Sequence, residues 1–334
     1  MLLEAQYYET ADNQRIRCTL CPHQCSISPE MAGKCHVRVN HEGKLWARSY
    51  GQLSALNEDP VEKKPLYHFF PGRTVLSAGS YGCNLSCIFC QNHDISQRPV
   101  PYLNKPPTHP DELVESLKSV PENIGLAYTY NEPVVFFEWV CEMAEKVRLH
   151  GMKNILVSNG YINTKPLERL IDIIDCFNID LKFFNDASYR RFSGASLKPV
   201  LDSLKLIRSS GSHLEITHLV VSGMNDEEDE FTSLVQWICD ELGPSTPLHI
   251  SRYFPRFRSS SPPPSENKML DFYQLASEKL NYVYLGNLHV DGKSDTLCPN
   301  CKRLVVSRHH YACSIHGLDG KGNCSYCGTS VAIR

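Results

Sequence analysis

The chain has 334 residues, 42% hydrophobic and 21% charged, enough for one large domain with small additions. Its formal net charge of −3 argues against nucleic-acid binding through bulk positive charge, and no apolar run reaches the roughly 18 residues that a membrane span needs. The N-terminal stretch lacks the basic start and apolar core of an export signal, so the expectation is a cytoplasmic protein with neither membrane nor nucleic-acid partner.

Residues 1–72 are rich in cysteine, histidine, proline and charge and show little helical periodicity, which predicts a loop-rich segment held by metal. From Arg73 the texture changes to short apolar runs alternating with helical patterns. Strands are predicted at 74–79, 124–129, 153–158, 177–181, 213–221, 248–253 and 282–286. Helices are predicted at 111–119, 134–149, 165–174, around Val200, Leu201, Leu204 and Ile207, and at 227–242 and 266–280. Repeated strand–helix units mean a parallel sheet with right-handed crossovers. These units are too few for a complete eight-fold barrel, so the fold class is α/β, a partial (β/α)6-type open TIM barrel over 73–290. Its site should gather where the strands end, at Thr129 to Glu132, Ser158 to Gly160, Asp180 to Lys182 and His249 to Arg252. The polar tail at 291–334 reads as a separate cysteine-bearing module.

Eleven of the 15 cysteines fall in three groups, and without an export signal such groups read as metal ligands before disulfides. Cys83, Cys87 and Cys90 form a C-x3-C-x2-C triplet just after a predicted strand. Zinc prefers four ligands and paired C-x2-C knuckles. Three thiolates in one loop instead suit a 4Fe-4S cluster whose fourth iron has no protein ligand, leaving it open to a substrate or cosubstrate. Cys18, Cys21, Cys25 and Cys35 form a four-thiolate set, with His23 and His36 nearby. Turns at Pro22 and Gly33 suit a closed structural zinc, and the same four suit an auxiliary cluster that relays electrons; spacing alone does not choose. Cys298 and Cys301, then Cys324 and Cys327 after 22 residues, have zinc-ribbon spacing. Cys141, Cys176 and Cys239 sit in apolar contexts and read as small buried hydrophobes.

The triplet resembles the signature of radical S-adenosylmethionine (SAM) enzymes. Leu20-Cys-Pro-His-Gln-Cys25, Asp59-Pro-Val-Glu-Lys-Lys-Pro-Leu-Tyr-His-Phe-Phe-Pro71, Cys90-Gln-Asn92, Tyr128-Thr-Tyr-Asn-Glu-Pro133, Tyr253-Phe-Pro255 and the terminal cysteine layout resemble the radical SAM member of the AmmeMemoRadiSam system. That member is related to the pyruvate formate-lyase activating enzymes. The resemblance spans nearly the whole chain and implies reductive SAM cleavage at the triplet's cluster. It also implies a reductant such as ferredoxin or flavodoxin, and protein partners from that system. Carried over residue by residue, Thr129, Asn131 and Glu132 stand in place of a Gly-Gly-Glu-Pro motif, with Glu132 toward the SAM ammonium. Asn131 departs from the glycine of that motif. Ser158 and Asn159 match a Thr-Asn-Gly segment near the SAM ribose and methionyl part. Asp180 and Lys182 match an Asp-Leu-Lys segment, with Lys182 toward the SAM carboxylate. His249 or Arg252 is expected near the adenosyl part, and Gly286-Asn287 resembles a turn beside adenine. Where the activases carry an arginine, this chain has Thr217. Two other readings stand beside this one: a glycyl-radical-enzyme activase, and a zinc-bound interaction scaffold with a degenerate radical site.

Overall fold

A computed structural model describes residues 3–98 and 107–333. Its centre is one eight-stranded sheet. In chain order the strands are β1 (Ala55–Pro60), β2 (Thr74–Gly79), β3 (Asn123–Tyr128), β4 (Lys153–Ser158), β5 (Cys176–Asp180), β6 (His213–Val220), β7 (Leu248–Arg252) and β8 (Val283–Gly286). Strands β2 to β8 run parallel, each beside its sequence neighbour. The helices between them are α1 (Pro110–Ser119), α2 (Phe137–Leu149), α3 (Thr164–Ile171), α4 (Asp186–Ser193), α5 (Leu197–Ser210), α6 (Glu228–Trp237) and α7 (Glu266–Ser277). This is the partial open barrel that the alternation predicts. The strands are buried almost continuously, β5 as Cys176 to Ile179 and β7 as Leu248 to Ser251, because helices cover one face and side chains fill the other.

Within the central unit, β1 and α4 were not legible in the periodicity. Strand β1 lies inside the cysteine-rich segment and pairs antiparallel with β2 from Ala55↔Gly79 to Pro60↔Thr74, covering what would be a bare sheet edge. Its run Ala-Leu-Asn-Glu-Asp-Pro carries too little apolar alternation to announce a strand. Helix α4 is short and polar, and only its cap, where Asn185 Oδ1 accepts from Ser188 N, marks its start.

The floor of the barrel is held by one carboxylate. Glu215 on β6 is fully buried and accepts from the backbone N–H of Tyr67 (3.0 Å) and His68 (2.8 Å), and from His213 Nε2 (3.0 Å) and His249 Nε2 (2.7 Å). Burial alone would raise its pKa, but the hydrogen bonds and charge of His213 and His249 hold it well below the usual carboxylate range. The strap between β1 and β2 is thereby drawn under the strands, and Asn178 Nδ2 on β5 donates to Pro65 O at 2.7 Å. The C-terminal module packs beneath. Its antiparallel sheet of Thr296–Leu297, Leu304–His309 and Ala312–Ile315 places Val305 and Val306 in a cluster with Tyr67, Tyr282 and Tyr284. Arg308 donates to Tyr67 O at 2.7 Å with its guanidinium 4.2 Å from the Tyr67 ring centre.

The N-terminal segment makes two small sheets, one of Tyr8–Thr10, Ile16–Cys18 and Ser26–Ile27, the other of Leu3–Glu4, Lys44–Ala47 and Arg38–His41. They dock on α2 through a buried ion pair, Arg38 to Glu138 at 3.0 Å, and Glu138 also accepts from Gln6 N at 2.7 Å. No helix among the described residues is long and apolar enough to cross a membrane.

Glu215 and the buried histidines each give a test. Glu215→Gln puts an amide N–H group among four donors, and should cost about 3 kcal/mol or more in chemical denaturation; a change below about 0.5 kcal/mol would remove Glu215 from this role. Burial pushes His68 down to about 3 and His218 down to about 4. An unfolded histidine titrates near 6.5, so between the two values the unfolded chain binds protons that the folded chain refuses. Their contribution to stability should therefore be full above about pH 6.5 and fall steadily as the pH drops toward 4. The midpoints of wild type and His68→Gln should converge as the pH drops from about 7 to about 5, and a difference independent of pH would contradict this.

Candidate active site

The chain leaves β2 at Gly79 and enters the loop that carries the cysteine triplet, so the three thiols stand at the C-terminal end of the sheet. Asparagines tie this loop down. Asn131, after β3, accepts from Ser80 N at 2.9 Å and donates to Gly82 O at 2.9 Å, while Asn92 donates to Tyr130 O at 2.6 Å. Asn84 donates to Tyr161 O at 2.7 Å, and Ser86 N and Ile88 N donate to Ser193 O and Phe192 O at the end of α4. Cys83 Sγ accepts from Leu85 N at 3.3 Å, and Cys87 Sγ lies 3.4 Å from the Ser193 hydroxyl. Burial raises the pKa of all three thiols, most strongly at Cys83, so binding a metal here must displace protons.

Glu132 follows β3 and is buried. Its Oε1 accepts from Ser158 Oγ at 2.7 Å and Val134 N at 3.0 Å, and its Oε2 accepts from Asn159 N at 2.9 Å. Burial pushes its carboxyl up to about 7 against the pull of these donors. Asn159 donates to Asn84 Oδ1 at 2.9 Å, and its Nδ2 lies 3.7 Å from Cys83 Sγ, which joins the β4 end directly to the triplet. At the end of β5, Lys182 Nζ is 2.9 Å from Asp180 Oδ2. Burial would lower the Lys182 pKa, but Asp180 and Cys87 raise it, so the ammonium is held charged.

The structure thus brings Cys83, Cys87, Cys90, Glu132, Ser158, Asn159, Asp180 and Lys182 to one end of the barrel. Thr129 is there through its backbone, its N–H donating to Ala78 O at 2.9 Å. Asn131 is spent on stitching the loop. His249 is elsewhere: it lies near the start of β7, bonded to Glu215 and edge-on to Tyr67 with ring centres 4.7 Å apart. Strand-end position cannot apply to it, since only the last residues of a parallel strand reach the mouth. Asn84 lies inside the triplet and Asn92 just after it, in the Cys90-Gln-Asn92 stretch, but spacing does not show that they tie loops together; Ser193, in the polar helix α4, was not singled out.

The cysteine sets differ in shape. Among the described residues, Cys298, Cys301, Cys324 and Cys327 are the group of ligand side chains whose donor atoms all lie within 4.8 Å of one another, with Sγ–Sγ separations of 3.5 Å for Cys298–Cys327 and 3.7 Å for Cys301–Cys324. Four sulfurs bound at about 2.3 Å to one tetrahedral ion stand ~3.8 Å apart, so this set fits a single ion. Among the described residues neither the triplet nor the set of Cys18, Cys21, Cys25 and Cys35 forms so tight a group, and the latter four line one pocket.

A profile of the radical SAM superfamily matches residues 78–235. An uncharacterized protein of Methanocaldococcus jannaschii is 38% identical over 334 residues, 99% of each chain. The pyruvate formate-lyase 1-activating enzyme of Escherichia coli K12 is 22% identical over 165 residues, 48% of this chain and 66% of its own. A radical SAM methyltransferase from Sphaerobacter thermophilus shares the fold, with a TM-score of 0.52 at 11% identity over 65% of this chain and 67% of that one.

The C-terminal tetrathiolate site should hold one metal ion per chain after dialysis, and Cys301→Ser should release it and lower the thermal midpoint by several degrees. Metal content unchanged in that variant would exclude the site.

Proposed function

The chain belongs to the radical SAM superfamily, in one family with the M. jannaschii protein, and from this we propose that it cleaves SAM reductively at the Cys83–Cys87–Cys90 site to act on a separate substrate. The observation that carries the reading is the convergence of the triplet, the buried Glu132 and the Asp180–Lys182 pair at one end of the sheet. When bound there, a 4Fe-4S cluster supplies the electron that splits SAM into methionine and a 5′-deoxyadenosyl radical, which takes a hydrogen atom from substrate.

The chain's own residues bind and orient. A carboxylate offers about four acceptor sites, and three on Glu132 are already used. The fourth is left for the SAM ammonium, whose charge would offset the burial that raises the Glu132 pKa. Ser158 and Asn159 N–H fix the carboxylate's orientation, and the Asn159 side chain holds Cys83 in register with it. Lys182, kept cationic by Asp180, is the partner for the SAM carboxylate. Leu85 and Phe89, between the cysteines, are buried in the main core and anchor the loop there. The electron comes from a ferredoxin or flavodoxin, and the protein partners are those of the AmmeMemoRadiSam system. Zinc occupies the C-terminal tetrathiolate site. His249 serves the barrel floor and not SAM.

The similarity to the pyruvate formate-lyase activating enzyme favours one second reading, in which the hydrogen donor is a glycine of a partner protein. The interaction-scaffold reading has no such support, since the triplet and Glu132 are in place.

With dithionite and SAM, iron-loaded protein should release 5′-deoxyadenosine and methionine, and Cys87→Ala should reduce the release to background. No release from a fully loaded chain would end the reading. Glu132→Gln should weaken SAM binding about 10- to 100-fold in equilibrium dialysis, the worth of one charged hydrogen bond. An unchanged affinity would place the ammonium elsewhere. The activase reading requires a glycyl doublet in the EPR spectrum of a co-incubated partner.

A further inference from the structure

Cys18, Cys21, Cys25 and Cys35 line a single pocket with His23, Lys34 and Arg38. A structural zinc draws its four sulfurs onto one centre, as the C-terminal four are drawn, and among the described residues the N-terminal four do not form such a group. Two further observations place hydrogen-bond donors for sulfur at this site. Arg38 lines the pocket at 1% exposure, and its Nε has no hydrogen-bond partner, whereas Nη1 donates to Glu138 and Nη2 to Gln6 O. A buried N–H facing thiolates and inorganic sulfide would find its acceptor there. Lys34 N also lies 3.5 Å from Cys25 Sγ, a backbone donor already turned toward a sulfur.

The pocket abuts the triplet loop. Asn84, the residue after Cys83, lines it, and its carbonyl lies 2.7 Å from His23 Nε2. Gly82, the residue before Cys83, lies so close to the N-terminal set that a Cβ there would sit 2.5 Å from Cys35 O. Both chain neighbours of Cys83 therefore touch the elements that carry the second set.

We propose that Cys18, Cys21, Cys25 and Cys35 hold a second iron–sulfur cluster, the entry point for the electron used at the triplet. An external one-electron donor of the ferredoxin or flavodoxin class reduces this cluster and is itself oxidised. The cluster then returns to its oxidised state by passing that electron to the triplet's cluster, so one electron enters and one leaves. The metal site stands on the pocket alone; the relay rests on the radical SAM reading.

The test is iron, sulfide and zinc analysis of reconstituted full-length chains, with EPR of the reduced forms. Wild type should hold about eight irons with matching sulfide, and the triple variant Cys83→Ala/Cys87→Ala/Cys90→Ala should keep about four. Cys21→Ser in an otherwise native chain should lose iron and sulfide while the triplet's share remains, which guards against a triple variant that does not fold. Zinc at the N-terminal site, or a triple variant without inorganic sulfide while Cys21→Ser keeps the wild-type amount, overturns the proposal. A triple variant with as much iron as wild type would instead sink the triplet reading and leave the N-terminal cluster standing. For the relay, the reduced wild-type spectrum should show spin coupling absent from either variant; a spectrum equal to the sum of the two removes the electron path.

Discussion

The sheet of seven parallel strands stays open, with β1 at one edge and β8 at the other, and its lower end is stopped by something other than strands. In this chain the stop is the Glu215 carboxylate. It gathers two strap amides and two histidines, and the strap in turn gives the C-terminal module a surface to pack on. With the floor sealed by a fully paired buried charge, the strand ends at the other side are left as the place where loops converge. Removing one partner of such a group leaves the others unpaired in a dry interior, so strap, strands and module stand or fall together.

The upper end is built on a different principle. Few of its contacts are between charges; most are asparagine amides reaching backbone carbonyls and amides of a neighbouring loop. Asn131, Asn84 and Asn92 each tie the triplet loop to another strand end. An amide carries two donors and an acceptor, which lets one side chain hold an irregular loop in two directions without adding a charge beside sulfur ligands. Asn131 alone supplies two such ties.

The parallel strands were legible because continuous apolar runs and turn residues marked them, and the order of elements then follows from the handedness of crossovers. The triplet was legible because its chemistry demands three thiols in one loop. What escaped were features whose cause lies elsewhere in the chain. Strand β1 exists because β2 would otherwise have an open edge, which nothing in Ala55 to Pro60 announces. His249 looked like a site residue from its strand, but register places it at the entry end, where Glu215 claims it. The shape of the two flanking cysteine sets was equally hidden. Spacing counts residues between sulfurs, whereas a single ion and a cluster differ in how far apart the sulfurs finally stand.

Gly82 links these themes. Its backbone rests against Cys35 O with no side chain between. Electron tunnelling weakens exponentially with distance, so the separation of two redox centres sets a rate more sharply than it sets a stability. A contact between bare backbones has no rotamers and cannot swell or shrink as side chains rearrange. At position 82 the missing atom lets the two cysteine loops meet without a side chain between them, and under the proposed relay that nearness would set a rate.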